Sequence, residues 1–418
     1  MLDLSYNNLE GNLPRCWPNL TSLEYIDLSS NQFTGDIRDI SSSGKSFLWL
    51  IENNTELVTL VLRNNSFTGP LQMPSNPHSK LTELDIASNN FSGNIPEDIG
   101  TSFPGLEDLT MSSNRFTGTI PSSFGDMASL VSLDLSYNFL SGNIPNSLAM
   151  GCRSLFTLRL SNNNLQGSIL PAHHNLTQLA YLELDVNNFT TIPNSLSNCS
   201  KLAVLKINLN HLDGPFPTAI CQLKSLDYLD ISENNITGIL PACFSPPRIK
   251  YVKLSKNRLL LPHAFFNCTR LRFVTKSMPL VYRGQEVFFF FAIDLSCNNL
   301  AGHIPPEIGK LFHLKSLNLS HNSLSGTIPI TFANLTGTES LDLSYNKLTG
   351  GTPSLLAKLD SLEVFNEPHF QTFDCMSYVS NQLLCGKPVS RNCTDPESAL
   401  VTPRNRKGTE FMDMGTFY

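Results

Sequence analysis

Three stretches carry residue types that could do chemistry. Gly44-Lys45-Ser46 has the ending of a phosphate loop, whose amides and lysine would cradle phosphates, but position 39 is Asp where the loop needs glycine. His173-His174 is an adjacent pair without the helical HExxH spacing or cysteine partners that hold zinc, and is expected in a solvated loop. The aspartates recur at one periodic position instead of converging as an acid/base pair, and no GxSxG elbow occurs. These absences predict a binding surface, with no catalysis, metal or cofactor. The chain has 418 residues, of which 41% are hydrophobic, enough to bury a core. Its net charge of −6 and lack of a Lys/Arg block argue against nucleic acid as a partner. The longest apolar run, Val287 to Ile293, is far short of the ~20 residues that span a bilayer.

The elements that must position any site are repeats. Asparagines of an LxLxxN pattern fall at 7, 31, 65, 89, 114, 138, 163, 187, 210, 234, 257, 298, 322 and 346, and eleven of the thirteen intervals are 23 to 25 residues. A period near 24 with LxxLxLxxNxLxGxIP is the leucine-rich repeat, whose units bury their apolar faces only by stacking. In LTELDIASN, Leu81, Leu84 and Ile86 should point inward, while Glu83, Asp85 and Ala87 point outward from a short parallel strand. The asparagines should hydrogen-bond backbone groups of adjacent coils, and Gly93 permits the turn after the strand. The fold class expected is an α/β solenoid: a curved right-handed coil with a concave parallel sheet and an irregular or 3₁₀ convex side. Residues 1–266 hold about eleven repeats, 267–291 an insertion, 292–364 about three more, 365–393 a degraded repeat and cap, and 394–418 a tail.

Function must then lie in the outward residues. The central outward residue is usually Asp (3, 27, 85, 134, 230, 294, 342), and a serine commonly follows two residues on. Coils seven to eleven break that grammar. They carry Arg159, Glu183, Lys206 and Lys253 at the first position, Asp185 and Asn208 at the second, and Tyr181, Tyr228 and Tyr251 two residues earlier. Val186, Leu209, Glu233 and Lys256 flank them. With Asp230 and Glu233 these form the candidate ligand site, an aromatic stripe beside mixed charges. The tyrosines should stack along one line, broken by Val204.

The repeats resemble a particular class. LSGTIP (324–329) and FSGNIP (91–96) are similar to the plant-specific extracellular type. From residue 276, KSMPLVYRGQEVFFFFAIDLSCNNLAGHIPPEIGKLFHLKSLNLSHNSLSGTIP, ESLDLSYNKLTGGTP and FQTFDCMSYVSNQLLCGKPVSRNC follow in the order of plant receptor-like proteins. That resemblance implies a cell-surface receptor ectodomain recognising a peptide, protein or glycan elicitor in defence or development. It also implies signalling through a receptor kinase adaptor and co-receptor, with a plasma-membrane location. The chain opens directly on LDLSYN, and MDMGTFY (412–418) resembles the segment before the family's membrane helix, so a fragment of such an ectodomain is expected. A soluble inhibitor of wall-degrading enzymes and a nonfunctional receptor remnant are the alternatives.

The resemblance also implies that Cys385 and Cys393 pair to close the C-terminal cap. Cys199, Cys221, Cys243 and Cys268 lie about one period apart, so adjacent pairs could bridge or stay as buried thiols. Glycosylation sequons occur at Asn19, Asn53, Asn64, Asn90, Asn175, Asn188, Asn198, Asn235, Asn267, Asn318, Asn334 and Asn392.

Overall fold

The computed structural model describes residues 1–13, 21–36, 48–241, 249–260, 292–311, 314–354, 356, 375–386, 389, 391 and 393. Fourteen short parallel strands, one per coil, form a single sheet in chain order. They are β1 (Leu2–Asp3), β2 (Tyr25–Asp27), β3 (Thr59–Val61), β4 (Glu83–Asp85), β5 (Asp108–Thr110), β6 (Ser132–Asp134) and β7 (Thr157–Arg159). There follow β8 (Tyr181–Glu183), β9 (Val204–Lys206), β10 (Tyr228–Asp230), β11 (Tyr251–Lys253), β12 (Ala292–Asp294), β13 (Ser316–Asn318) and β14 (Ser340–Asp342). The strands put their middle residues toward the core: Leu84, Leu158, Leu182, Leu205 and Leu229 are all within 1% of full burial, while Ile293 of β12 is half-buried.

The asparagine ladder is what stitches coil to coil. Asn187 donates from its amide to the carbonyls of Leu160 (2.9 Å) in the preceding coil and Leu184 (3.1 Å) in its own. Its carbonyl accepts from the backbone N–H of Leu165 at 2.9 Å. Polar groups that the turning backbone leaves unpaired are thereby satisfied in the interior, at one side chain per coil. The residue before each ladder asparagine adopts the left-handed conformation, from Tyr6 (φ 54°) through Ser88 (φ 53°) to Tyr345 (φ 52°). In coils with the Asp-Ser pair, the aspartate holds this turn: the carboxylate of Asp134 accepts from the Ser136 amide at 3.0 Å, and that of Asp294 accepts from the amide (3.0 Å) and hydroxyl (2.7 Å) of Ser296.

After the turn the chain forms a second set of parallel strands, which the expectation of an irregular outer side did not include. Gln32–Asp36, Ser66–Pro70, Asn90–Asn94 and Arg115–Thr117 pair with one another, and Glu10–Gly11 joins at the edge. Their FTG-type sequences supply β-favouring aromatic and β-branched residues, with a glycine at positive φ, as at Gly93 (φ 79°), to turn the chain inward. Phe67, Phe91 and Phe116 stack beneath this sheet at centroid spacings of 6.2 and 6.3 Å. Short 3₁₀ turns such as Asn194–Asn198 and Thr218–Gln222, and helices of four to six residues, complete the convex side.

Two irregularities leave the ladder unbroken. The segment 267–291 lies outside the described residues, yet β11 and β12 pair directly, with Tyr251 against Ala292. Asn298 still reaches back to the Leu254 carbonyl at 3.0 Å. Past β14, Cys375–Tyr378 is a 3₁₀ turn where a concave strand would stand, followed by Ser380 at φ 58°. Asn381 donates to the Leu343 carbonyl at 2.9 Å and accepts from the Leu348 amide at 2.9 Å. Leu383–Cys385 then pairs with the outer strand Lys347–Gly351. The degraded repeat therefore keeps a coil's turn, its ladder and its outer strand. Cys385 and Cys393 are bonded there, with Cα atoms 5.0 Å apart.

Candidate ligand-binding face

Strand register converts the outward residues of coils six to twelve into rows. In the central row, Asp134, Arg159, Glu183, Lys206, Asp230, Lys253 and Asp294 stand side by side on successive strands. Their charges alternate in sign at every step. Glu183 accepts from Arg159 at 3.1 Å and from Lys206 at 3.0 Å, and Lys253 lies 3.9 Å from Asp230. Cross-strand opposite charges of this kind favour one another at the ~5 Å strand spacing. Burial raises the carboxyl of Glu183, but Lys206 and then Arg159 outweigh it and hold the group below its ordinary value.

The charges were expected to be offered to a ligand. Instead they are matched within the sheet, because register sets each cation between two anions. Asp230 is only 6% exposed, and its carboxylate accepts from the amide and hydroxyl of Ser232 at 3.0 and 2.6 Å. It belongs to the sheet's internal bonding and not to its surface. Burial raises its pKa, with the Ser232 hydrogen bonds opposing. Glu233, likewise, pairs with Lys256 at 3.1 Å.

The aromatic row lies beside the charges. Tyr181, Val204, Tyr228 and Tyr251 are consecutive register partners. Tyr228 and Tyr251 stack at 4.4 Å with rings 7° from parallel, whereas Tyr181 turns to meet Phe156 edge-on at 5.4 Å. The Lys206 ammonium lies 5.6 Å from the centre of the Tyr228 ring. Burial, followed by Tyr251, pushes the Tyr228 phenol far above its usual range, and burial also raises Tyr251 and Tyr181.

The third outward row is more enclosed than alternation predicts. Ala87, expected outward, is fully buried, and Ser232 likewise, because the chain is already bending into its left-handed residue and neighbouring coils crowd it. Only longer residues emerge. Asp185 accepts from the Ser161 hydroxyl at 2.5 Å, while the Asn208 side chain has no hydrogen-bond partner among the described residues. Beyond them Val186 (37% exposed) and Leu209 (44%) occupy the left-handed position at φ 56° and 52°. Apolar side chains there are strained and in water at once, β-branched Val186 most of all.

The other expected sites separate by face. Asn64, Asn188, Asn198 and Asn334 are exposed, while Asn53, Asn90, Asn175, Asn235 and Asn318 are half-buried; Asn19, Asn267 and Asn392 lie outside the described residues. Asn318 is on the concave sheet, with its carbonyl accepting from the Ser320 amide and hydroxyl at 3.0 and 2.7 Å. Cys221 is disulfide-bonded, Cys199 is a buried free thiol with its pKa pushed up to about 12 by burial, and Cys243 and Cys268 lie outside the described residues. His174 is buried, not solvated, with Nε2 3.0 Å from the Ser195 carbonyl. Lys45 and the rest of Gly44-Lys45-Ser46 lie outside the described residues, and no group of His, Cys, Asp or Glu among the described residues could hold a metal ion. Among the same residues no helix is long and apolar enough to cross a membrane.

Models of the family described as "Leucine rich repeat" match residues 79–140, 104–165, 200–259, 292–348 and 312–366, with residues 1–20 and 22–43 matching a second model of that description. The chain belongs to the leucine-rich-repeat family. Its relatives are plant receptor-like proteins. It is 28% identical to Cuscuta receptor 1 of Solanum lycopersicum over 26% of this chain and 16% of the relative. It is 42% identical to Receptor-like protein 14 of Arabidopsis thaliana over 23% of this chain and 9% of the relative. Those matches span a small part of each relative's length. Among solved structures, the ectodomain of the Arabidopsis thaliana receptor kinase GASSHO1/SCHENGEN3, in complex with Casparian strip integrity factor 2, aligns with a TM-score of 0.71 and 30% identity, over 93% of this chain and 45% of that one. The Arabidopsis HAESA ectodomain, in complex with an N-terminally extended IDA peptide hormone, aligns with a TM-score of 0.70 and 30% identity, over 92% and 62%.

Proposed function

We propose that this leucine-rich-repeat chain is the ligand-recognition portion of a plant cell-surface receptor-like protein, and that it binds an extended peptide along the concave sheet of coils seven to eleven. The observation that carries the reading is the aromatic row Tyr181–Val204–Tyr228–Tyr251, set beside a charge row that alternates in sign at every step. One structurally similar ectodomain is a complex with a peptide hormone, and another is a complex with Casparian strip integrity factor 2. A sheet built at strand spacing presents regularly stepped contacts to a chain lying across it. The face does no chemistry of its own; binding would be passed to receptor kinase partners at the plasma membrane, in defence or development.

The test is selection of binders from a random dodecapeptide library displayed on phage, against the secreted chain. A counter-screen uses the triple variant Tyr181→Ser, Tyr228→Ser, Tyr251→Ser. Truncated aromatic anchors typically cost ~2 kcal/mol or more each, so most selected peptides should lose at least about thirtyfold in affinity on the variant. Peptides that bind both proteins equally would place recognition elsewhere on the solenoid.

A further inference from the structure

Coil nine interrupts the concave surface in three ways at once. In the aromatic row it presents Val204 where both flanking rings are tyrosine, Tyr181 on β8 and Tyr228 on β10. Strands two steps apart are separated by roughly 9.6 Å, twice the strand spacing, which is the room one further ring needs to stack between two others. Tyr228 and Tyr251 already stack at 4.4 Å, so a ring over Val204 would continue an existing column. The residues just before these strands widen the notch: Ala180 and Ala203 stand where coil seven carries Phe156. The Lys206 ammonium, paired with Glu183 at 3.0 Å, also lies 5.6 Å from the centre of the Tyr228 ring, so an incoming ring shares that face with it.

The second interruption is polar. Asn208 replaces the short serine of the grammar, is half-buried, and has no hydrogen-bond partner among the described residues. A carboxamide offers one acceptor and two donors, the complement of a peptide group's N–H and C=O. Its neighbours Ser161, Asp185 and Ser232 are already hydrogen-bonded within the sheet. The third is the strained, exposed Leu209, next to Val186 on the far rim.

We propose that coil nine is the anchoring point of the peptide: a planar aromatic side chain enters between the Tyr181 and Tyr228 rings over Val204, and a neighbouring peptide group pairs with the Asn208 carboxamide. The occupant is aromatic and uncharged because the sheet's charges are matched internally, so a charged side chain would find no open counter-ion. The proposal rests on the concave-face reading above and narrows it to one position.

The probe is N-acetyl-tyrosine amide, a ring with a peptide group on either side, and binding to the secreted chain is read by saturation-transfer NMR. N-acetyl-lysine amide and N-acetyl-glutamate amide serve as charged counterparts. The tyrosine probe should bind in the millimolar range and the charged probes at least about tenfold more weakly. Val204→Tyr fills the notch from within the sheet and should abolish binding, while Asn208→Ala should weaken it several-fold. Tyr345→Ala, on a distant ring pair with His321, should change nothing. Thermal melting of each variant confirms that it folds; if Val204→Tyr unfolds the chain, Val204→Phe is read in its place. Equal binding by the notch-filled variant, preference for a charged probe, or no binding of the tyrosine probe would overturn the proposal. The phage selection separates the two readings: peptides that need the three tyrosines but show no aromatic enrichment keep the concave face and sink the coil-nine anchor.

Discussion

A ladder asparagine answers for three or four backbone groups at once, so its loss should be disproportionate. Asn187→Ala would leave the Leu165 amide buried and unpaired, and would take one of two donors from each of the Leu160 and Leu184 carbonyls, which Asn163 and Asn210 still reach. At about 1–3 kcal/mol for a buried orphan, a loss of about 1–3 kcal/mol is expected in urea unfolding. Asn188→Ala, on an exposed neighbour, should change stability by less than about 0.5 kcal/mol. His174 gives a pH signature. Burial lowers its pKa, partly opposed by its bond to the Ser195 carbonyl, and its Nδ1 is buried without a partner in the structure. The unfolded chain then binds a proton that the fold disfavours. Stability is complete above the unfolded value of about 6.5 and falls as the pH drops below it. Melting between pH 7.5 and 5.5 should show this loss, and His174→Asn should flatten it. The period of these asparagines was legible because one residue type recurs at a fixed spacing. The burial of His174 was not, since a histidine pair in a polar stretch carries no mark of the carbonyl it will meet.

At the scale of the element, each coil is a three-residue strand, a left-handed residue and a short outer segment. Leu, Asn and Gly spacing predicts that much. The alternation of charge from Asp134 to Asp294 was present in the residues, but it becomes visible only when strand register sets each beside its neighbour. Read coil by coil, Arg159, Glu183 and Lys206 are departures from aspartate; read across coils they belong to one row of alternating sign. The coil built around Asn381 was harder to see, because Met376 and Tyr378 stand at the two leucine positions and the strand becomes a 3₁₀ turn. Strain belongs to this scale too. Val186 holds φ 56°, a conformation that costs a β-branched residue roughly 1–2 kcal/mol. Val186→Asn should therefore raise stability by about 1 kcal/mol while weakening peptide capture, a trade expected of residues kept for contact. A stabilised variant with unchanged capture would remove Val186 from the binding rim. The bond between Cys385 and Cys393 closes a loop of 8 residues. The double variant Cys385→Ser, Cys393→Ser should cost about 2–3 kcal/mol by the loop-entropy estimate, read as earlier proteolysis of the last coil while the central coils stay resistant.

Over the whole molecule, stability and recognition share one geometry. Each coil touches chiefly its neighbours, so the sheet from β1 to β14 is held by repeated nearest-neighbour contacts. Long insertions are tolerated where the ladder can close beneath them, as the direct pairing of β11 with β12 shows. The same stacking lines up the outward residues of distant repeats, and coils seven to eleven depart from the grammar as a block. Hydrogen–deuterium exchange of the secreted chain, with and without a peptide from the phage selection, tests this most directly. Protection should centre on the segments 156–161, 180–186, 203–209, 227–233 and 250–256, strongest at coil nine. Protection confined to coils one to six, or to the segments after residue 292, would contradict the account.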